Sequence, residues 1–180
     1  AEIARMPGVR FAAVLRLAPG KVLTDGVPAG DPLAAGFPSD PAVLARYDVV
    51  VLVATPAKDV SSAEEAALVT FVEDGGGLFV VGDEDALGLG AWAGRPLARL
   101  LPVEVRGGDE EMVTGAFRAE ATADGRSSPI LDGLLDAIST ADGGPGLVLG
   151  SLHRAGSPRP GAAALLETHL QDGPPRPLLL

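Results

Sequence analysis

Cysteine is absent from all 180 residues. That removes disulfides, thiolate metal sites and a cysteine nucleophile together, and it leaves the redox compartment open. Aromatic residues make up only 4%, so a core has to be built from Ala, Val and Leu. Positive charge is also short: 14 Lys and Arg against 24 Asp and Glu leave a net charge of −10. The chain therefore lacks the clustered cations that phosphate-backbone binding needs, and nucleic acid is not expected as a partner. Anionic lipid is no better a match. No run approaches the roughly 18 apolar residues of a membrane span, and no signal peptide is visible. No G-x-x-x-x-G-K phosphate cradle occurs, and Lys21 stands alone in its loop. Two distant histidines without cysteines do not make a zinc site. No metal and no cofactor is expected.

What is present is apolar and turn-rich. Hydrophobic content of 47% argues for a packed core rather than disorder, while 24 Gly and 16 Pro predict many turns. The length suits a single α/β domain over residues 1–180. The chain starts at Ala1 and stops on Pro177–Leu180, which looks like the start of a strand, so a piece excised from a larger protein is expected.

The organising stretch is Tyr47–Asp85. Asp48–Ala54 is an unbroken Val-rich run, the pattern of a strand buried on both faces of a parallel sheet. Ser61 with Glu64, and Ser62 with Glu65, each fit a capping box, so a helix starts here. Its apolar face is read as Ala66, Leu68, Val69 and Val72, widened by Phe71, and Gly75–Gly77 ends it. Leu78–Val81 is a second buried strand, parallel to the first because a helix lies between them.

Around this unit, Val9–Leu17 alternates as an edge strand with Arg10 and Arg16 on the face opposite its leucines. Pro19–Pro41 reads as a long surface loop, and Asp40–Arg46 as a short helix capped by Asp40 with Pro41 at its first position. Arg95–Leu101 reads as a short helix, Met112–Thr122 and Leu147–Leu152 as strands, and Ser128 as the start of a helical turn. Ala162–Thr168 fits strand or helix.

In parallel sheets, ligands gather beyond the carboxyl ends of the strands. That edge carries Asp83, Glu84 and Asp85, which could bind a divalent cation or supply a general base, or could be a solvated turn or a helix cap. His153, beside Arg154, is a candidate ligand-contacting residue or a surface histidine; no G-x-S-x-G serine stands by to partner it. Trp92, the single tryptophan, either packs in the core or stacks on a ligand. His169 receives no role.

The order L-x-x-YD-V-V-V-L, an acidic-capped helix, then F-V-x-x-GGGL-x-V-x-G resembles the class I glutamine amidotransferase-like superfamily. Within it, the resemblance is greater to the putative glutamine amidotransferase domain of large bacterial membrane-anchored proteins, often found beside a von Willebrand factor A domain, than to trehalose-utilisation-like proteins. Gly94–Val103, Ser128–Leu134, Arg159–Leu166 and Pro177–Leu180 stand where that family shows T-P-L-x-x-L-L-P-V, H-P-I-L-x-x-L, K-P-G-A-x-x-L-L and P-L-L-V segments. The resemblance implies a flavodoxin-like layered α/β sandwich with a mainly parallel central sheet, with β-rich segments added in the C-terminal half. It does not imply glutaminase activity. The nucleophile turn of true members falls at about Gly82–Asp85, where no Cys stands, and the histidine of H-P-I-L is Ser128 here. The expectation is a pseudoenzyme: a structural or interaction module of a bacterial envelope protein, partnered by other domains of that protein or by a separate one. The alternative is a small-molecule or divalent-cation binding domain using the Asp83–Asp85 crevice. A carboxylate-based hydrolase stays open only if His153 or a second acid faces that crevice.

Overall fold

The computed structural model describes residues 6–18, 20–82, 86–107, 112–138, 146–153, 156–170 and 173–180. By contact density the chain forms two interleaved units, Ala1–Val50 with Ser61–Leu78, and Val51–Val60 with Phe79–Leu180.

In the first unit, β1 (Ala13–Ala18) and β2 (Lys21–Asp25) form an antiparallel hairpin with Leu15 opposite Leu23. The segment read as pure loop thus contains a strand. The turn closes through Gly20, whose φ of 71° suits glycine best. Arg16, exposed on the hairpin, pairs with Glu64 at 2.9 Å. α1 (Pro41–Leu44) is capped as its sequence predicts, the Asp40 carboxylate accepting the Ala42 N–H at 2.9 Å.

α2 (Ser62–Glu73) starts at Ser61. The Ser61 hydroxyl accepts from the Glu64 N–H at 3.2 Å, and the Glu64 carboxylate accepts from the Ser61 N–H at 2.7 Å. Its buried face is Glu65, Ala67, Leu68 and Phe71, with Leu33 and Leu44 buried in the same unit. Val69 and Val72 flank this face, while Ala66 is exposed. Gly75, at φ 100°, terminates the helix, and Gly76 lies so close to the Phe71 ring that a Cβ has no room. The Gly77 N–H then reaches the Asp48 carbonyl at 2.9 Å and begins a strand pair.

That pair, β3 (Val49–Val53) with β4 (Gly77–Val81), runs through both units. It departs from expectation in its burial. Only Leu52 is buried, whereas Val49, Val51, Val53 and Phe79 are each about half exposed or more. The valine run is an alternating strand with one bare apolar face, not a strand buried on both.

The second unit is mostly antiparallel. β5 (Met112–Arg118) pairs with β7 (Val148–His153), Met112 standing opposite His153. β6 (Glu120–Ala121), β8 (Leu166–Thr168) and β9 (Arg176–Leu179) make a three-stranded sheet. Its core joins Ala119, Ala121, Leu131, Ile138, Leu165 and Leu166. α3 (Ala123–Ser127) begins at Thr122, whose hydroxyl accepts the Gly125 N–H at 2.9 Å, and α4 spans Leu135–Ile138. Arg159 ties its loop to the Val103 and Ala98 carbonyls, both at 3.2 Å.

The flavodoxin-like layered sandwich with a mainly parallel central sheet is not formed. The described strands make four separate sheets of two or three strands, and parallel pairing is confined to β3–β4. The cause lies in the connections. A parallel crossover needs about a dozen residues, usually helical, and α2 is the one described helix of that length. Past Val81 the described helices span three to five residues, and frequent Gly and Pro turn the strands back on their neighbours.

Candidate functional site

The carboxyl end of β3 belongs to the second unit, and so does the end of β4. Asp83, Glu84 and Asp85 lie outside the described residues, as does the acidic run from Asp109 to Glu111. What flanks them is described. Gly82, directly before Asp83, stands against His153: a Cβ built on the glycine would lie 3.6 Å from the histidine Cβ. The antiparallel pairing of β7 with β5 delivers His153 to this place, far from Gly82 in sequence. That distance is an ordinary van der Waals contact, so an alanine at 82 would fit there as well. His153 is partly buried and belongs to this edge, not to open surface.

Trp92 sits just past the carboxyl end of β3. It is 4% exposed, and its indole N–H donates to the Thr55 carbonyl at 2.8 Å. The Arg95 guanidinium lies 5.7 Å from the ring centroid and donates to the Val60 carbonyl at 3.1 Å. Together with Leu52, Thr55, Val80, Ala86, Leu87, Leu97 and Leu101, Trp92 lines a small, almost wholly apolar hollow. Leu89, the other side chain able to fill it, is exposed. Trp92 thus packs in the position where a ligand would lie in an open α/β sheet. It does so through a backbone carbonyl at the end of β3, a partner that sequence reading had no means to single out.

The backbone here is strained. Ala54, Leu87 and Ala91 have φ of 45°, 51° and 59°, and among the described residues no other non-glycine residue has a positive φ. An L-residue in this left-handed region costs about 1–2 kcal/mol. The turn from Ala86 to Trp92 is held by hydrogen bonds from the Gly90 N–H to the Ala86 carbonyl at 2.9 Å and from the Trp92 N–H to the Leu87 carbonyl at 3.0 Å. The Ala57 N–H reaches the Gly90 carbonyl at 2.7 Å.

Carboxylates with displaced pKa values lie elsewhere. The hydrogen bond from Arg46 holds the Asp31 carboxyl below its usual range, assisted by the Leu33 N–H. Arg106 lowers Glu104 in the same way. Both are ion pairs that shape loops and lack the raised pKa a general acid needs at neutral pH. His169 lies 3.9 Å from both Glu120 and Glu167 on the three-stranded sheet, too far for a hydrogen bond. Among the described residues, no three His, Cys, Asp or Glu side chains converge as metal ligands, and no helix is long and apolar enough to cross a membrane.

No family description and no curated protein matches this chain. Among solved structures it is similar to Cytoplasmic Protein STM3548 from Salmonella typhimurium, with a TM-score of 0.58 and 21% sequence identity over 74% of the chain. The match covers 56% of that protein's length, and at this identity the likeness is one of fold alone.

Proposed function

We propose that the chain is a non-catalytic structural or protein-interaction module of a larger bacterial envelope protein, descended from glutamine amidotransferase-like domains without keeping their nucleophile or their layered sheet. The observation that carries this reading is the bare apolar strand surface in each unit. Leu15, Leu17 and Leu23 are exposed on the hairpin of the first unit, and Val51, Val53 and Phe79 on β3 and β4 in the second. Contiguous apolar surface of this kind marks sites of association more often than free surface. The absence of cysteine and the filling of the β3 edge by Trp92 support the same reading.

The test is the double variant Val51→Ser/Val53→Ser in the full-length parent protein, followed by proximity labelling and by thermal unfolding of the purified chain. The expected outcome is loss of the labelled partners with an unchanged unfolding midpoint. Retention of the same partners would remove the role of this face, and unfolding of the variant would place the valines in a core.

The placement of His153 against Gly82 favours a second reading, a divalent-cation or small-molecule site formed with the Asp83–Asp85 carboxylates. Calorimetric titration with Ca²⁺ and Mn²⁺ tests it. Binding that disappears in Asp83→Asn and weakens in His153→Gln supports this reading, and heatless titrations remove it.

A further inference from the structure

We propose that the β1–β2 hairpin is a lipid-contacting element whose bare leucine face beds into the interface of an anionic bilayer. The proposal goes beyond the interaction-module reading, because it takes the bare surface of the first unit and assigns it lipid as its occupant. Two observations carry it. The first is which face of the hairpin is bare. Strand side chains alternate between faces, and the register sets Leu15 opposite Leu23 and Arg16 opposite Val22. The Arg16–Val22 face turns toward its own unit: Arg16 pairs with Glu64 of α2, and a Cβ built on Gly36 would lie 3.8 Å from the Val22 side chain. The other face carries Leu15, Leu17 and Leu23, each more than half exposed, and Met6 and Val9 ahead of β1 are exposed as well. A two-stranded ribbon offers a flat face without walls to hold a specific side chain. Apolar residues on such a face, flanked by cations, are what interfacial binding uses.

The second is where the charge lies. From Ile3 to Thr24 the sequence holds Arg5, Arg10, Arg16 and Lys21 and no acid, and every acid of the chain except Glu2 lies from Asp25 onward. The net charge of −10 therefore belongs to the remainder of the chain, and the stretch that builds the hairpin is basic. Averaged over all residues, the charge disfavours anionic lipid. Attraction to a surface is local, however, since charges farther away than about 8 Å are largely screened at physiological salt. Lys21 opens β2 and Arg10 precedes β1, both exposed, while Asp25 at the end of β2 is the one acid in the two strands. Exposed leucines and cations thus share one hairpin, and an anionic lipid surface complements both.

Flotation of the whole chain with phosphatidylglycerol vesicles and with phosphatidylcholine vesicles tests this. The chain is expected to bind the anionic vesicles about tenfold more strongly than the neutral ones. Raising NaCl from about 50 to about 500 mM is expected to release it. Leu15→Ser/Leu23→Ser abolishes flotation, and Arg10→Gln/Lys21→Gln weakens it about tenfold. All four positions are exposed, so both variants keep the native circular dichroism spectrum. Val51→Ser/Val53→Ser leaves flotation unchanged, which separates the hairpin from the β3–β4 face. A native chain that stays off anionic vesicles or floats equally with both lipids would overturn the proposal. So would flotation kept in full by either hairpin variant, or lost in the valine variant. Those results would return the leucine face to a protein partner and leave the interaction-module reading to its own test on Val51 and Val53.

Discussion

Trp92 is where a single residue decides most. Its burial and its bond to Thr55 predict that Trp92→Ala lowers stability by about 3–5 kcal/mol, the usual cost of emptying a large aromatic site. Trp92→Phe keeps most of the apolar contact and leaves the Thr55 carbonyl without its donor, a loss of about 1–3 kcal/mol. Urea unfolding followed by far-UV circular dichroism measures both. A cost for Trp92→Ala within about 0.5 kcal/mol would mean that the ring is not packed as described. Asp31 yields a pH prediction. Its carboxyl is held low by Arg46, so the pair contributes stability above the ordinary carboxylate pKa and loses it as pH falls through the lowered value. Relative to Arg46→Met, the native chain is expected to lose its advantage as pH falls below the ordinary carboxylate pKa of about 4. Parallel acid-unfolding curves for the two proteins, with no convergence at low pH, would remove the pair as a contributor. In the sequence, Asp31 looked like one of several loop aspartates. The bidentate approach of Arg46, at 3.0 and 3.1 Å, depends on α1 bringing position 46 back toward position 31.

At the scale of elements, local chemistry was most readable where it is self-contained. The two overlapping capping boxes, Ser61–Glu64 and Ser62–Glu65, could not be told apart from residue type, and the structure selects the first. Ser61→Ala is accordingly expected to cost about 1 kcal/mol, a drop of about 2–4 °C in unfolding midpoint for a chain of this size. Ser62→Ala should stay within about 0.5 kcal/mol. Differential scanning calorimetry decides, and equal effects would mean that the helix frays across both starts. The buried face of α2 differs from the sequence reading because helical periodicity locates a stripe but not its centre. Packing against α1 accompanies a stripe centred on Glu65 and Leu68. β2 was missed for another reason. Its five residues lie among turn formers, and what stabilises them is the pairing of Leu15 with Leu23, a partner outside any local window.

For the molecule as a whole, charge sets a prediction that structure does not alter. With a net charge of −10 and surface ion pairs worth little individually, self-repulsion should dominate the salt response. Raising NaCl from about 20 to about 500 mM shortens the screening length severalfold and is expected to raise the unfolding midpoint. A midpoint that falls with salt would show that pairs such as Arg16–Glu64 and Arg46–Asp31 outweigh the repulsion.

The sequence by itself determined the features carried by composition and short range: no thiol chemistry, the acidic charge, the cap of α1, a start of α2 at Ser61 or Ser62, its glycine stop within Gly75–Gly77, and strands within Asp48–Ala54 and Leu78–Val81. Each depends on residues a few positions apart, whose preferences act before any tertiary contact exists. Tertiary structure alone decided how the strands associate, which face of the valine run stays bare, and that Trp92 fills the end of β3 while His153 arrives beside Gly82. Those outcomes depend on pairing between distant segments, where a hydrophobic pattern fixes which residues seek burial but not which partner buries them.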